Sequence, residues 1–221
     1  MPRLLLLSLL MLQAVLLSAC NEPPPPTINL YRAIHTGDWD QVKRHLNQGA
    51  DLTQRDPEGN LPLHVAARDG RLVIARSLVE HGADVNALND RGQTPVLIAL
   101  LNGKIKLGEM LMDHGAREDP QSLLFALAEE GVADRDGIAL LLREGADINA
   151  LNANGRTPIH IAVANDQVLL AARLLRAGAD VNRPDSGGRT PLAFALEKER
   201  TNRHIIALLQ QYGASATLVE Q

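Results

Sequence analysis

The chain has 221 residues, 45% of them hydrophobic and 22% charged, which is the composition of an ordinary globular protein. A formal net charge of -4 leaves no basic excess, so the composition disfavours a protein that binds nucleic acid or an anionic membrane surface. The single cysteine, Cys20, excludes an intrachain disulfide, and an aromatic content of 2% predicts a core of aliphatic side chains.

The N-terminal residues predict an export signal. Arg3 precedes an apolar run from Leu4 to Leu17, which is shorter than the roughly 20 residues of a membrane-spanning helix. The run ends in Leu-Ser-Ala-Cys at residues 17–20. This ending resembles the lipobox of bacterial lipoproteins, and the resemblance implies that Cys20 carries lipid at the mature N-terminus. The alternatives are an uncleaved N-terminal helix and a plain signal peptide.

The residues after the cysteine bear on location. In the lipoprotein family, aspartate at the next position favours retention in the inner membrane. Asn21 therefore favours the outer membrane, with the protein facing the periplasm, although the choice between the two membranes stays open. Pro23 to Pro26 predict a short, stiff polyproline II spacer. We assign 1–19 to the signal peptide and 20–26 to the lipidated tether.

The rest of the chain is one unit repeated. The pair Gly-Ala recurs at intervals of about 33 residues, a spacing typical of repeat proteins. Its glycines are Gly49, Gly82, Gly115, Gly145, Gly178 and Gly213. A second signature keeps a fixed phase with the first, as in Leu61-Pro62-Leu63-His64 and Thr157-Pro158-Ile159-His160, with shorter matches at Thr94-Pro95 and Thr190-Pro191.

Both signatures resemble the ankyrin repeat, with its Thr-Pro-Leu-His opening and its Gly-Ala-Asp-Val-Asn ending. The resemblance covers residues 27–215 and leaves 216–221 as a C-terminal tail. It implies an all-α repeat solenoid of six stacked helix-turn-helix units with projecting β-hairpin loops. The physical pattern agrees, because one pair of short helices cannot bury its apolar face alone, whereas stacked neighbours can.

Local signals place the helix ends. Thr94, Thr157 and Thr190 are expected to cap helix starts, and the proline after each suits the first helical turn. Gly82 lies past the end of a second helix and is expected to adopt the left-handed conformation of a C-terminal cap.

Two units depart from the pattern. The first unit lacks the Thr-Pro opening and places Trp39 where the second unit has Leu72, so we interpret Trp39 as a core residue, with a binding role as the alternative. The fourth unit is preceded by a shortened segment and contains a lengthened inter-helix turn. This predicts a missing hairpin and an enlarged turn, as a tolerated change of loop length or as a notch that shapes the binding face.

No catalytic motif is present. The chain contains no P-loop, His-Glu-x-x-His, Gly-x-Ser-x-Gly or dinucleotide fingerprint, so we expect no catalytic residue, cofactor or metal. Asp134 to Gly137 has part of a calcium-loop pattern, but Arg143 stands where the bidentate glutamate belongs. His64 and His160 occupy equivalent positions, where the ankyrin family uses histidine to tie hairpin loops together.

The ankyrin resemblance also implies a binding face, formed by the hairpin tips and the inner helices of a concave surface. Its charges are mixed in sign, without an aromatic ladder or a basic stripe, which favours a protein partner over nucleic acid or a small-molecule substrate. The predicted partner-binding residues are His35, Arg68, Asp69, Asp90, Arg91, Asn102, Glu129, Glu130, Asn154, Arg156, Asn165, Arg189, Glu197 and Lys198.

The leading hypothesis is a protein–protein interaction module anchored by lipid at the bacterial cell envelope. The alternatives are a periplasmic inhibitor or immunity protein for an enzyme or toxin, support of envelope defence against oxidants, and a structural tether. An enzyme is the least favoured reading, because no nucleophile, base and orienting group are visible.

Overall fold

The structure, a computed structural model, describes residues 24–197 and 202–215. The predicted signal peptide, the lipidation residue Cys20, the binding residue Lys198 and the C-terminal tail lie outside the described residues.

The described residues form twelve α-helices and no β-strand. The helices are α1 (Leu30–Thr36), α2 (Trp39–Asn47), α3 (Pro62–Asp69), α4 (Leu72–Glu80), α5 (Pro95–Leu101), α6 (Ile105–Asp113), α7 (Pro120–Glu129), α8 (Arg135–Arg143), α9 (Pro158–Ala164), α10 (Val168–Arg176), α11 (Pro191–Glu197) and α12 (Arg203–Gln211).

The helices stack in two layers. The odd-numbered helices pack on one another as an inner layer, and the even-numbered helices follow as an outer layer. Each inner helix also packs against the outer helix that follows it in the chain. The predicted all-α solenoid of helix-turn-helix units is therefore confirmed.

Small residues allow the inner helices to approach one another closely. Ala66, Ala99, Ala162 and Ala195 stand at equivalent positions of four inner helices, and each is fully buried. A larger side chain at any of them would force the neighbouring helices apart, because protein interiors are packed without spare volume.

The predicted helix caps are confirmed at two of three threonines. The Thr94 hydroxyl accepts a hydrogen bond from the Leu97 backbone N–H, and the Thr190 hydroxyl accepts one from Ala193, each at 3.2 Å. The prediction for Thr157 is wrong, because its hydroxyl lies 2.7 Å from His160 Nδ1 and makes no cap bond. Gly82 has φ +91°, which confirms the left-handed cap.

The core interpretation of Trp39 is wrong. The side chain is 38% exposed at the first position of α2. Its counterpart Leu72 packs against the core between α2 and α6, whereas the described chain supplies no outer helix before α2 to cover the indole.

Four hairpin turns project from the stack. Each is closed by a backbone hydrogen bond across its tip, from Asp56 to Asn60, Asn89 to Gln93, Asn152 to Arg156 and Asp185 to Arg189, at 2.8–3.0 Å. The connection between α6 and α7 has no such turn, and the α7–α8 turn is longer than the turns before it. The predicted loss of the fourth hairpin is confirmed.

The fourth unit also divides the core. One apolar cluster runs from α1 to α8, and a second runs from Ala128 in α7 to Leu209 in α12. The two clusters meet at Leu142, which packs against both. In the same region the inner helices α5 and α7 pack less closely than the other inner neighbours.

Candidate partner-binding face

The hairpin tips are held in pairs. The Asp90 backbone N–H donates to the Gly59 carbonyl at 3.1 Å, and the Ser186 N–H donates to the Gly155 carbonyl at 2.8 Å. Both glycines have positive φ and lie against the next tip so closely that a Cβ would clash. The first two hairpins thus form one pair of tips and the last two form another. The hairpin missing between α6 and α7 leaves a gap between the two pairs.

An open cleft lies beside the first pair of tips. It has a volume of about 270 Å³ and is bordered by α3, α5 and two hairpins. It brings together three predicted binding residues, Arg68, Arg91 and Asn102. Glu58, Asn60 and Gln93, which belong to the predicted hairpin tips, complete its polar lining.

A hydrogen-bonded network around Asp69 extends the first cleft toward the N-terminus. Asp69 accepts from His35 Nδ1 at 2.7 Å and from Arg68 Nε at 3.1 Å. Asp69 is the most buried of the three side chains, and it fixes the two donors on the concave surface. Asp90 lies apart from this network and pairs with Arg55 at 3.2 Å.

A second polar patch lies beside the other pair of tips. The Arg156 and Arg189 guanidinium groups lie 4.9 and 5.1 Å from the centroid of the Phe194 ring, within cation–π range. Arg189 also donates to Asp185 at 2.8 Å and to Glu197 at 3.2 Å. The bond to Asp185 raises the pKa of Arg189, so this cation is firmly held.

His64 and His160 link neighbouring repeats. Each places Nε2 3.0 Å from a carbonyl of the next hairpin, at Gln93 and Arg189 respectively. A carbonyl only accepts, so Nε2 carries the proton in both rings. Burial lowers the pKa of both histidines, which favours the neutral form. The predicted structural role of these histidines is confirmed.

The remaining predicted residues are scattered along the surface. Glu129 and Glu130 end α7 at the enlarged turn, and neither makes an ion pair with any described residue. Asn165 is the C-terminal cap residue that follows α9, and Asn154 lies exposed at a hairpin tip. The structure therefore divides the predicted binding residues into two clusters, one around Arg68 and one around Arg156. Glu129 and Glu130 form an acidic stretch between these clusters.

One residue of this face, Phe194, was not predicted from the sequence. Phe194 was not singled out, although Arg156 and Arg189 stand at the same phase of their repeats and close successive hairpins. The shared repeat position of Arg156 and Arg189 could have identified this cluster from the sequence. It predicts that the two guanidinium groups lie side by side, next to the helix that contains Phe194.

Asp134 serves as a helix cap, since its side chain accepts from the Gly137 N–H at 2.7 Å. No grouping of histidine, cysteine, aspartate and glutamate within the described ranges is suited to hold a metal ion. None of the described helices has the length and apolar character to span a membrane.

A family model described as ankyrin repeats in three copies matches residues 30–122 and 124–219. The chain belongs to the ankyrin-repeat family. The match covers all twelve described helices, including those of the degenerate fourth repeat, apart from residue 123.

Known proteins show the same fold. The ankyrin repeat domain of human ASB11 is 26% identical, with a TM-score of 0.66 and coverage of 85% of each chain. A chain from the complex of a predatory endopeptidase of Bdellovibrio bacteriovorus with its immunity protein is 24% identical, with a TM-score of 0.63 and coverage of 82% of this chain and 96% of that one. This second likeness concerns the fold alone.

A mouse enzyme shares part of the sequence. The 60 kDa lysophospholipase of Mus musculus is 49% identical over 138 residues, which is 60% of this chain. The match spans about a quarter (24%) of the length of that protein.

Proposed function

We propose that this ankyrin-repeat protein is a binding module without catalytic activity, whose concave face holds a partner protein at the bacterial cell envelope. The observation that carries the proposal is the cleft beside Arg68, Arg91 and Asn102, where inner helices and hairpin tips converge on one open surface. A rigid scaffold that presents charges of both signs suits protein recognition, in which a few residues supply most of the binding energy.

The chemistry of the face supports binding over catalysis. His64 and His160 are almost fully buried in the stack, so a substrate at the surface cannot reach either ring and neither is placed as a general base. Lysophospholipase activity is not proposed for this chain, which spans only about a quarter (24%) of the mouse enzyme that it resembles in part.

The envelope location rests on the sequence. The apolar run up to Leu17 and the following lipobox support a lipid on Cys20, and Asn21 favours the outer membrane with the repeats in the periplasm. Four prolines would then hold the repeats close to the membrane surface.

The test is crosslinking in cells, followed by purification of the full chain and mass spectrometry of what is attached. The variant R68E/E129R/R156E reverses charges in both clusters and in the acidic stretch between them. We expect it to lose the partner while its thermal unfolding stays close to that of the wild type. None of the three side chains is buried, and surface charges contribute only about 0–1 kcal/mol each to stability.

The matched control is R44E/R76E/E80R, which makes the same charge changes on the outer helices α2 and α4. It should retain the partner. Equal recovery of the partner from all three proteins would overturn the concave-face proposal. A Cys20→Ser variant provides a separate arm, and its recovery from the membrane fraction at the wild-type level would contradict the lipid anchor.

The captured partner also separates the finer functions. An enzyme or toxin that the bound chain inhibits would indicate an inhibitor or immunity protein. A partner that becomes mislocalised without the chain would indicate a tether, and peroxide sensitivity of a deletion strain would indicate a role in defence against oxidants.

A further inference from the structure

The outer surface has a groove that the concave-face proposal does not use. Helices α8 and α10 pack less closely than any other neighbouring pair of described outer helices. An open groove of about 340 Å³ lies between them. Its apolar lining consists of Ile138, Ala139, Leu142 and Ala177. The two alanines leave room that a larger side chain would fill.

Three arginines surround this apolar lining. We call the whole site, with its apolar lining and its three arginines, the outer groove. Arg173 and Arg176 come from α10, and Arg135 comes from α8. Arg135 pairs with Asp136 at 2.9 Å, but both side chains are largely exposed (75% and 67%), so the pair is weak and easily exchanged. Arg173 and Arg176 make no ion pair with any described residue.

The Arg173 guanidinium contains an unused donor. Its Nε atom is buried and has no hydrogen-bond partner. A buried donor without an acceptor is unfavourable, so an acceptor brought by a ligand would be stabilised there. Neither α10 nor the neighbouring α12 contains an acidic residue, so no carboxylate on these helices competes for the arginines.

We propose that the outer groove binds an acidic and apolar peptide segment of a partner protein. An apolar side chain of the segment occupies the space above Ile138 and Leu142, and adjacent carboxylates pair with Arg173 and Arg176. Guanidinium groups suit this role because they bind carboxylates in a planar, two-bond geometry.

The size of the groove favours a peptide side chain over a cofactor. Ligand pockets range from about 300 to 1,000 Å³, so this groove lies at the lower limit. It accommodates one or two aliphatic side chains and leaves the charged groups at the rim. The inference goes beyond the proposed function, because the groove lies on the outer helices, away from the inner helices and hairpin tips.

The probe is an acetylated peptide of two leucines followed by two aspartates, titrated into the isotopically labelled full chain and followed by amide NMR shifts. We expect shifts at Ile138, Ala139 and Ala177. The double variant R173Q/R176Q should weaken binding by at least about tenfold, since both charge partners are lost.

The matched control is R44Q/R76Q, which removes the same charge from outer helices α2 and α4 and should bind like the wild type. Ala177→Leu is a second variant that fills the groove without removing charge, and its exposed position leaves the core unchanged. It should also abolish binding. The variant R68E/E129R/R156E should still bind the peptide, so failure of the concave face and failure of the groove are distinguishable.

Three outcomes would overturn the proposal. The first is equal binding of the peptide by the wild type, R173Q/R176Q and Ala177→Leu. The second is equal affinity for a peptide in which asparagines replace the aspartates. The third is binding of phosphatidylglycerol vesicles through these arginines while the peptide leaves the groove resonances unmoved.

Discussion

His64 lacks a hydrogen-bond partner that the equivalent histidine of the fifth repeat, His160, has. His160 Nδ1 lies 2.7 Å from the Thr157 hydroxyl, which acts as its donor, since Nε2 carries the ring proton. His64 Nδ1 is buried without a hydrogen bond. The difference follows from one residue, because Leu61 stands where the fifth repeat has Thr157.

The substitution Leu61→Thr should therefore stabilise the protein. Leu61 and Thr157 have nearly the same backbone angles, so the threonine hydroxyl can reach the ring. We expect a gain of about 1 kcal/mol in the free energy of unfolding, because a buried acceptor obtains its donor while some apolar area is lost. Urea denaturation measures the change.

The control for this prediction is the same substitution in a His64→Leu background. No gain is expected there, because the ring that accepts the bond is absent. An equal gain in both backgrounds would mean that the threonine acts only as a helix cap.

At the scale of the loops, hairpins support one another through their tip glycines. A Cβ on Gly155 would lie 1.8 Å from the Ser186 Oγ atom of the next hairpin. Gly92 has nearly the same φ (70° against 68°), but no atom lies within 4 Å of its added Cβ, since no hairpin follows it.

Gly155→Ala should therefore cost more than Gly92→Ala. In both variants the new side chain at positive φ lowers the free energy of unfolding by about 1–2 kcal/mol. Gly155→Ala additionally disturbs the bond from the Ser186 N–H, which adds at least about 1 kcal/mol. Thermal unfolding of the two variants gives the difference directly, and equal losses would show that paired tips contribute nothing to stability.

The loop pattern was largely readable from the sequence. Residue spacing alone predicted the missing hairpin and the enlarged turn, because repeat phase fixes where each loop must lie. The core assignment of Trp39 failed for a physical reason. Equivalence to Leu72 predicts burial only if an outer helix lies on both sides, and α2 has one on one side only.

At the scale of the whole molecule, the two apolar clusters predict uneven stability. Repeat proteins are stabilised by each unit and by its interfaces with its neighbours, so a weak interface allows one end to open before the other. The outer helices α8 and α10, which lie where the two clusters meet, form such an interface.

Leu78→Ala and Leu174→Ala test this division. The two leucines occupy the same phase of their repeats, both are fully buried, and they belong to different clusters. Each truncation should cost about 2–5 kcal/mol. We expect Leu174→Ala to lower amide hydrogen-exchange protection mainly in α9 to α12, and Leu78→Ala to lower it mainly in α1 to α4. A uniform loss in both variants would indicate one cooperative unit.

The candidate site was less predictable than the fold. The repeat phase correctly placed Arg68, Arg91 and Asn102 on one surface, and they share a cleft. It could not show that Glu129 and Glu130 stand apart from both clusters. Nor could it reveal the outer groove, which depends on how closely α8 and α10 pack and not on any local motif.

The exposed indole makes one end of the molecule optically visible. Trp39 is the single tryptophan of the chain and lies at the start of α2. Its fluorescence therefore reports the environment of the first helix pair, whereas circular dichroism sums the helices of every repeat. Transitions that coincide in both signals indicate two-state unfolding. The separation between the two curves in one titration thus measures how strongly the N-terminal end is coupled to the remainder of the stack.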